Sequence, residues 1–176
     1  MSAVARLAAL LFFAAPGGPG DPSPFPVWLQ TDARWASVPV RGEPKATLGQ
    51  IGCAVTSVAM LLRGLGRTLD GRPVDPLLLN ARIERLQLED MAAAAGLRCR
   101  LVERPLTEEV LAQGPLIVEI RYRAPPDLGG QVAPHFVLAV GLDARHRVVV
   151  HDPVRGRRTL DETQPLDRVV NAFQIF

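Results

Sequence analysis

Cysteine is scarce in this sequence. Only Cys53 and Cys99 occur in 176 residues, so no disulfide scaffold holds the chain together and one bridge is the most it could form. Aromatic residues make up 5%, and Lys45 is the only lysine. With a net charge of +2, the chain carries neither the basic stripe nor the stacking platforms of a nucleic-acid binder. No internal repeat is visible, which excludes a solenoid or propeller. No glycine-rich phosphate loop and no zinc-type ligand spacing occurs, so no nucleotide, cofactor or metal is expected. The longest apolar run falls well short of the roughly 20 residues a spanning helix needs. What remains is 48% hydrophobic and 22% charged, enough to bury one core and too apolar for a disordered chain.

The amino terminus reads as a targeting segment. Arg6 precedes an apolar run from Leu7 to Ala15, followed by small residues and a Gly/Pro-rich stretch, the anatomy of a secretory signal. Residues 1–22 are therefore set apart as a signal peptide or apolar leader with its linker, and 23–176 as one domain. Export to a bacterial periplasm or exterior is expected, with no stable membrane span after processing.

Within the domain, Val55, Val58, Ala59 and Leu62 recur at the spacing of one buried helix face. That helix should begin at or just after Cys53 and end at Gly64 and Gly66. Proline and glycine in 36–50 predict mostly loop. Shorter helices are expected from Pro76, over Leu88 to Ala95, and after Thr107, with a short strand over Leu97 to Val102. From Leu116 onward the character changes. Segments 116–122, 135–141, 147–152 and 169–175 are short, rich in β-branched residues and bounded by turns, so they read as strands. Helices first and an antiparallel sheet second predict an α+β domain.

Cys53 stands where a loop containing Gly49 and Gly52 enters the apolar helix. Aligned peptide dipoles at a helix amino terminus favour negative charge, and thiolate is the nucleophilic form of cysteine. Gly52 permits the tight approach and leaves room for a substrate backbone. A small buried hydrophobe at the start of a core helix is the structural alternative for Cys53. Of the three histidines, His135 starts a strand, His146 lies in a turn, and His151 with Asp152 ends the next strand. A hairpin through 141–147 brings His135 beside either His151 or Asp152, and strand alternation decides which shares its face. A carboxylate there can fix the imidazole tautomer and stabilise the imidazolium.

These residues resemble a known family. Leu29-Gln30-Thr31-Asp32-Ala33-Arg34-Trp35 followed by Gly52-Cys53-Ala54-Val55-Thr56-Ser57-Val58-Ala59-Met60 is similar to the Q-x-D-x-x-W … G-C-x-x-T-S-x-A-M pattern of bacterial papain-like cysteine peptidases related to the double-glycine leader (bacteriocin-processing) peptidases. Gly114-Pro115-Leu116-Ile117-Val118 resembles their G-x-P strand with one residue missing. His135 to Gly141 resembles their histidine strand, and Asp152-Pro153 their D-P motif. The resemblance covers about residues 27–160 and implies a papain-like fold. It also implies a nucleophile at Cys53, a general base at His135, an orienting carboxylate at Asp152, and a glutamine donor to the oxyanion. Gln30 carries the matching context; Gln50, three residues before Cys53, competes with it. The implied activity is hydrolysis of peptide or amide bonds through an acyl-enzyme, with a peptide or protein as substrate.

Two other functions stay open on sequence: a non-catalytic peptide-binding module, and acyl transfer to an amine through the same triad. Trp35 and Gly52 are candidate substrate contacts, and the loop from Arg123 to Pro134 a candidate cleft wall. Cys99, between Arg98 and Arg100, reads as a structural thiol; Arg155, Arg157 and Arg158 read as a small basic turn on a solvated hairpin face.

Overall fold

The computed structural model describes residues 23–103, 106–111, 114–123, 132–163 and 168–176. The proposed leader, residues 1–22, and most of the 123–134 loop lie outside the described residues. The protein is an α+β domain. A small hairpin, β1 (Pro39–Val40) and β2 (Glu43–Thr47), leads through a single helical turn, α1 (Leu48–Ile51), into the long helix α2 (Cys53–Gly64). A second small hairpin, β3 (Thr68–Leu69) and β4 (Arg72–Pro73), precedes α3 (Pro76–Arg82) and α4 (Leu88–Ala94). Then come β5 (Cys99–Leu101), α5 (Glu108–Leu111), β6 (Leu116–Arg123), β7 (Val132–Leu142), β8 (Val148–Asp152), β9 (Gly156–Thr159), α6 (Leu160–Thr163) and β10 (Val169–Ile175).

Six strands form one antiparallel sheet in the order β5-β10-β6-β7-β8-β9. Side chains alternate across a strand, so each strand feeds two cores. Ile117, Leu138 and Ile175 pack with the helices; Val118, Ile120, Val137, Ala139 and Val150 form a second cluster with Leu111 and Leu160. The sheet is thus covered on both faces, which explains its nearly unbroken apolar runs.

Helix α2 lies at the centre of the first core. Every residue from Ala54 to Leu62 is buried, so the helix is enclosed all round and not on the single face that its spacing suggests. Helix α3 starts as its sequence dictates: Asp75 accepts the Leu78 N–H at 2.7 Å, and Pro76 fills the first turn, where no backbone donor is needed.

One expectation is corrected here. The 36–50 segment is not mostly loop. It forms β1, β2 and α1, with the hairpin turn made by Arg41 and Gly42, the latter at φ 86°. The basic stretch after Asp152 does turn a hairpin, as its sequence suggests. Gly156–Thr159 is the edge strand β9, paired with β8 from Asp152↔Gly156 to Val149↔Thr159, with Arg155 and Arg157 exposed and Arg158 half-buried.

Candidate active site

Cys53 is the first residue of α2 and its thiol is free and half-buried. Gly52 closes α1 and opens α2 at once. A Cβ on it would lie 2.4 Å from the Leu48 carbonyl oxygen, so the missing side chain makes room for α1 itself. The expected space for a substrate backbone at Gly52 is therefore taken by the Leu48 carbonyl. One turn further along α2, the buried Ser57 hydroxyl donates to the Phe136 carbonyl at 3.0 Å. This bond ties the cysteine helix to β7 one residue from His135.

The β7–β8 hairpin decides the partner of His135. Leu138 pairs with His151 and Ala139 with Val150, so period-two alternation puts Asp152 on the face of His135 and turns His151 to the other. His135 Nε2 donates to Asp152 Oδ1 at 2.9 Å, with the two side chains 6% and 1% exposed. The same Oδ1 accepts the Val154 N–H at 2.8 Å and the Arg155 N–H at 3.3 Å. A carboxylate so bonded only accepts, so Nε2 carries the proton and Nδ1 is the ring nitrogen left for the Cys53 sulfur.

Burial pulls the basicity of His135 down. The Asp152 carboxylate bonded to the ring and the nearby Cys53 thiol outweigh that and raise its pKa from 6.5 to about 9. Asp152 is likewise pushed up by burial, yet His135 and the two backbone N–H groups hold it below the usual carboxylate value. Both groups thus favour a buried carboxylate–imidazolium pair. The Tyr122 ring lies against His135 with centroids 5.4 Å apart, and the Arg155 guanidinium sits 5.3 Å above Tyr122, so the pair is walled on that side.

The two glutamines separate cleanly. Gln50 is exposed and its Oε1 accepts the Thr47 N–H at 2.9 Å, so it caps α1. Gln30 is buried, and its Nε2 donates to the Gly49 carbonyl at 2.9 Å, beside the start of the cysteine helix. An amide nitrogen has two hydrogens, and Gly49 takes one. Gln30 is also fixed through its backbone, whose N–H donates to the Pro153 carbonyl at 2.8 Å.

Trp35 is 2% exposed; its indole N–H donates to the Leu29 carbonyl at 2.9 Å and its ring packs edge-on to Trp28. It is a core anchor, so the expectation that it contacts substrate is corrected. Cys99 lies against the main core, where burial foremost and the nearby Glu89 push its thiol up to about 11, despite its flanking arginines. Among the described residues no three His, Cys, Asp or Glu side chains gather as metal ligands. His151, turned away from His135 and Asp152, could not join them.

Three contributors escape sequence reasoning. The Ser57 hydroxyl had a signal, a polar Thr-Ser pair inside an otherwise apolar helix. Tyr122 had none, because it acts through the fold; Asp152-Pro153 stood out as a motif, but the role of the Pro153 carbonyl did not. No protein-family model matches the chain, and no curated protein matches it significantly.

Proposed function

We propose that this protein is a papain-like thiol hydrolase that cleaves peptide or amide bonds through an acyl-enzyme. The observation that carries the reading is the buried His135–Asp152 bond, next to a helix that starts at Cys53 and is tied to β7 through Ser57. In this reading the Cys53 thiolate attacks the substrate carbonyl carbon, and the C=O electron pair moves onto oxygen. The Cys53 backbone N–H and the second Gln30 amide hydrogen stabilise that oxyanion. Collapse expels the amine, which takes the proton from His135 Nδ1 and leaves a thioester on Cys53. His135 then draws a proton from water, whose oxygen attacks the thioester, and the carboxylic acid leaves as the thiolate returns. Asp152 holds the ring in the tautomer that these transfers need. Export rests on the sequence of the leader alone; no described helix is long and apolar enough to cross a membrane.

The test is Cys53 alkylation against pH in a Cys99→Ser chain, with and without His135→Ala. Rapid alkylation of Cys53 at neutral pH that is lost with His135→Ala is expected. Alkylation indifferent to His135→Ala sinks the catalytic reading and leaves a peptide-binding module.

A further inference from the structure

Residues 25–30 cross the protein as a strap held at Phe25, Pro26, Trp28 and Gln30. The Phe25 ring covers Gly64 at the end of α2, where an added Cβ would meet Phe25 Cδ1 at 2.1 Å. The Trp28 N–H points at the Met60 sulfur at 3.2 Å. Pro26 offers its carbonyl to His151 Nδ1 at 3.0 Å. The strap ends at Gln30, whose backbone N–H bonds the Pro153 carbonyl. Three consecutive residues at the end of β8 therefore hold three parts of one site. His151 holds the strap, Asp152 holds His135, and Pro153 holds Gln30.

His151 is a costly choice for this position. It is 1% exposed, and its Nε2 is buried with no hydrogen-bond partner among the described residues. An apolar side chain would fill the space without an unpaired polar atom. What the imidazole supplies, and an apolar residue cannot, is the N–H to Pro26.

We propose that His151 is a positioning residue for the oxyanion site, holding Gln30 in place through the Pro26 strap. The inference rests on the hydrolase reading above. Its consequence is that losing His151 should slow only those steps that build an oxyanion. Two small probes separate these steps without knowledge of the natural substrate. Acylation by p-nitrophenyl acetate passes through a tetrahedral oxyanion as the thiolate adds and p-nitrophenolate leaves. Iodoacetamide alkylates sulfur by direct displacement of iodide and makes none.

In a Cys99→Ser chain, His151→Leu is expected to slow acylation about 10- to 100-fold and leave the alkylation rate and its pH profile unchanged. His151→Asn, whose amide nitrogen stands near the place of Nδ1, should restore most of the acylation rate. In a Gln30→Ala background, His151→Leu should cost nothing further, because both changes remove the same donor. Where His151→Leu does not fold, Gly64→Ala carries the same expectation, since its methyl group displaces the Phe25 end of the strap. Acylation at the parent rate overturns the proposal. So does a parallel loss of alkylation, which would mean that His151 acts through Asp152, and so does a loss that adds to that of Gln30→Ala. Failure of the hydrolase reading looks different: parent alkylation would not depend on His135.

Discussion

Asp152→Asn isolates the charge of the buried pair from its geometry. The amide oxygen can still accept from Val154, Arg155 and His135, which all bond Oδ1, while the negative charge is gone. In the native protein burial opposes the imidazolium, and Asp152 and Cys53 overcome it to reach a pKa of about 9. A rise from 6.5 to about 9 corresponds to about 3 kcal/mol of preference for the charged ring. A neighbouring opposite charge commonly moves such a group by about 1–3 pH units, so the Asn variant should titrate about one to two units lower. Because the folded value is raised, the imidazolium's contribution to stability is fully present below about pH 6.5 and is lost as pH rises through about 9.

Two assays read this prediction. With 13C-labelled histidine the chain gives three imidazole signals, and one, His135, should titrate near pH 9 and shift downward in Asp152→Asn. His151 stands apart, since burial foremost, with the nearby Arg157, lowers its pKa despite the bond to Pro26. The urea midpoint of the native protein should fall between pH 6.5 and 9, and that slope should flatten in the variant. An Asp152→Asn chain whose His135 still titrates near 9 would refute the reasoning and assign the whole effect to Cys53.

Ser57→Ala should destabilise the protein by about 1–3 kcal/mol in urea, since the buried Phe136 carbonyl loses its donor, and should slow Cys53 alkylation at neutral pH. Iodoacetamide at pH 7 should label Cys53 alone, because the Cys99 thiol is pushed up to about 11; mass spectrometry of tryptic peptides counts the labels. Trp35→Ala should lower stability by about 3–5 kcal/mol in thermal or urea unfolding, with any effect on substrate following the loss of fold and not KM alone. Gly141→Ala should cost about 1–3 kcal/mol in urea, since Gly141 sits at φ 139°, and should slow ester acylation by disturbing the hairpin between His135 and Asp152.

Much of the fold was legible because strong local signals agreed with the global arrangement. Helix α2 begins at Cys53 and ends at Gly64, where a glycine-bounded apolar run said it would, and β6, β7, β8 and β10 sit within a few residues of their β-branched segments. What went unread was weaker or masked. Asp70-Gly71, both at positive φ, make the β3–β4 turn, a hairpin signal present in the sequence but flanked by strands of two residues. Pro39 and Pro44 argue against strands, yet β1 and β2 form a small separate hairpin outside the main sheet, where a missing donor costs little. Gly52 reads as an opening for a ligand, and only the fold shows the Leu48 carbonyl already there.

Strand alternation alone could not choose between His151 and Asp152, although the family resemblance pointed to Asp152, and the reason is a sharper one. Near the turn, Leu142 pairs with Val148 and Gly141 with Val149; past Val140 the pairing becomes Ala139 with Val150. One residue of β7 is therefore extra. Without that bulge the register would continue as Ala139 opposite His151, and His151 would share the face of His135 while Asp152 pointed away. A single inserted residue thus decides whether a carboxylate or a second imidazole meets His135. It also frees His151 to reach across the opposite face to Pro26. Gly141, read from sequence as ordinary turn material, supplies the positive φ next to this irregularity. The His135–Asp152 pairing and the strap anchor are two consequences of one bulge, so disturbing it should impair both together, whereas His151→Leu should impair only the second.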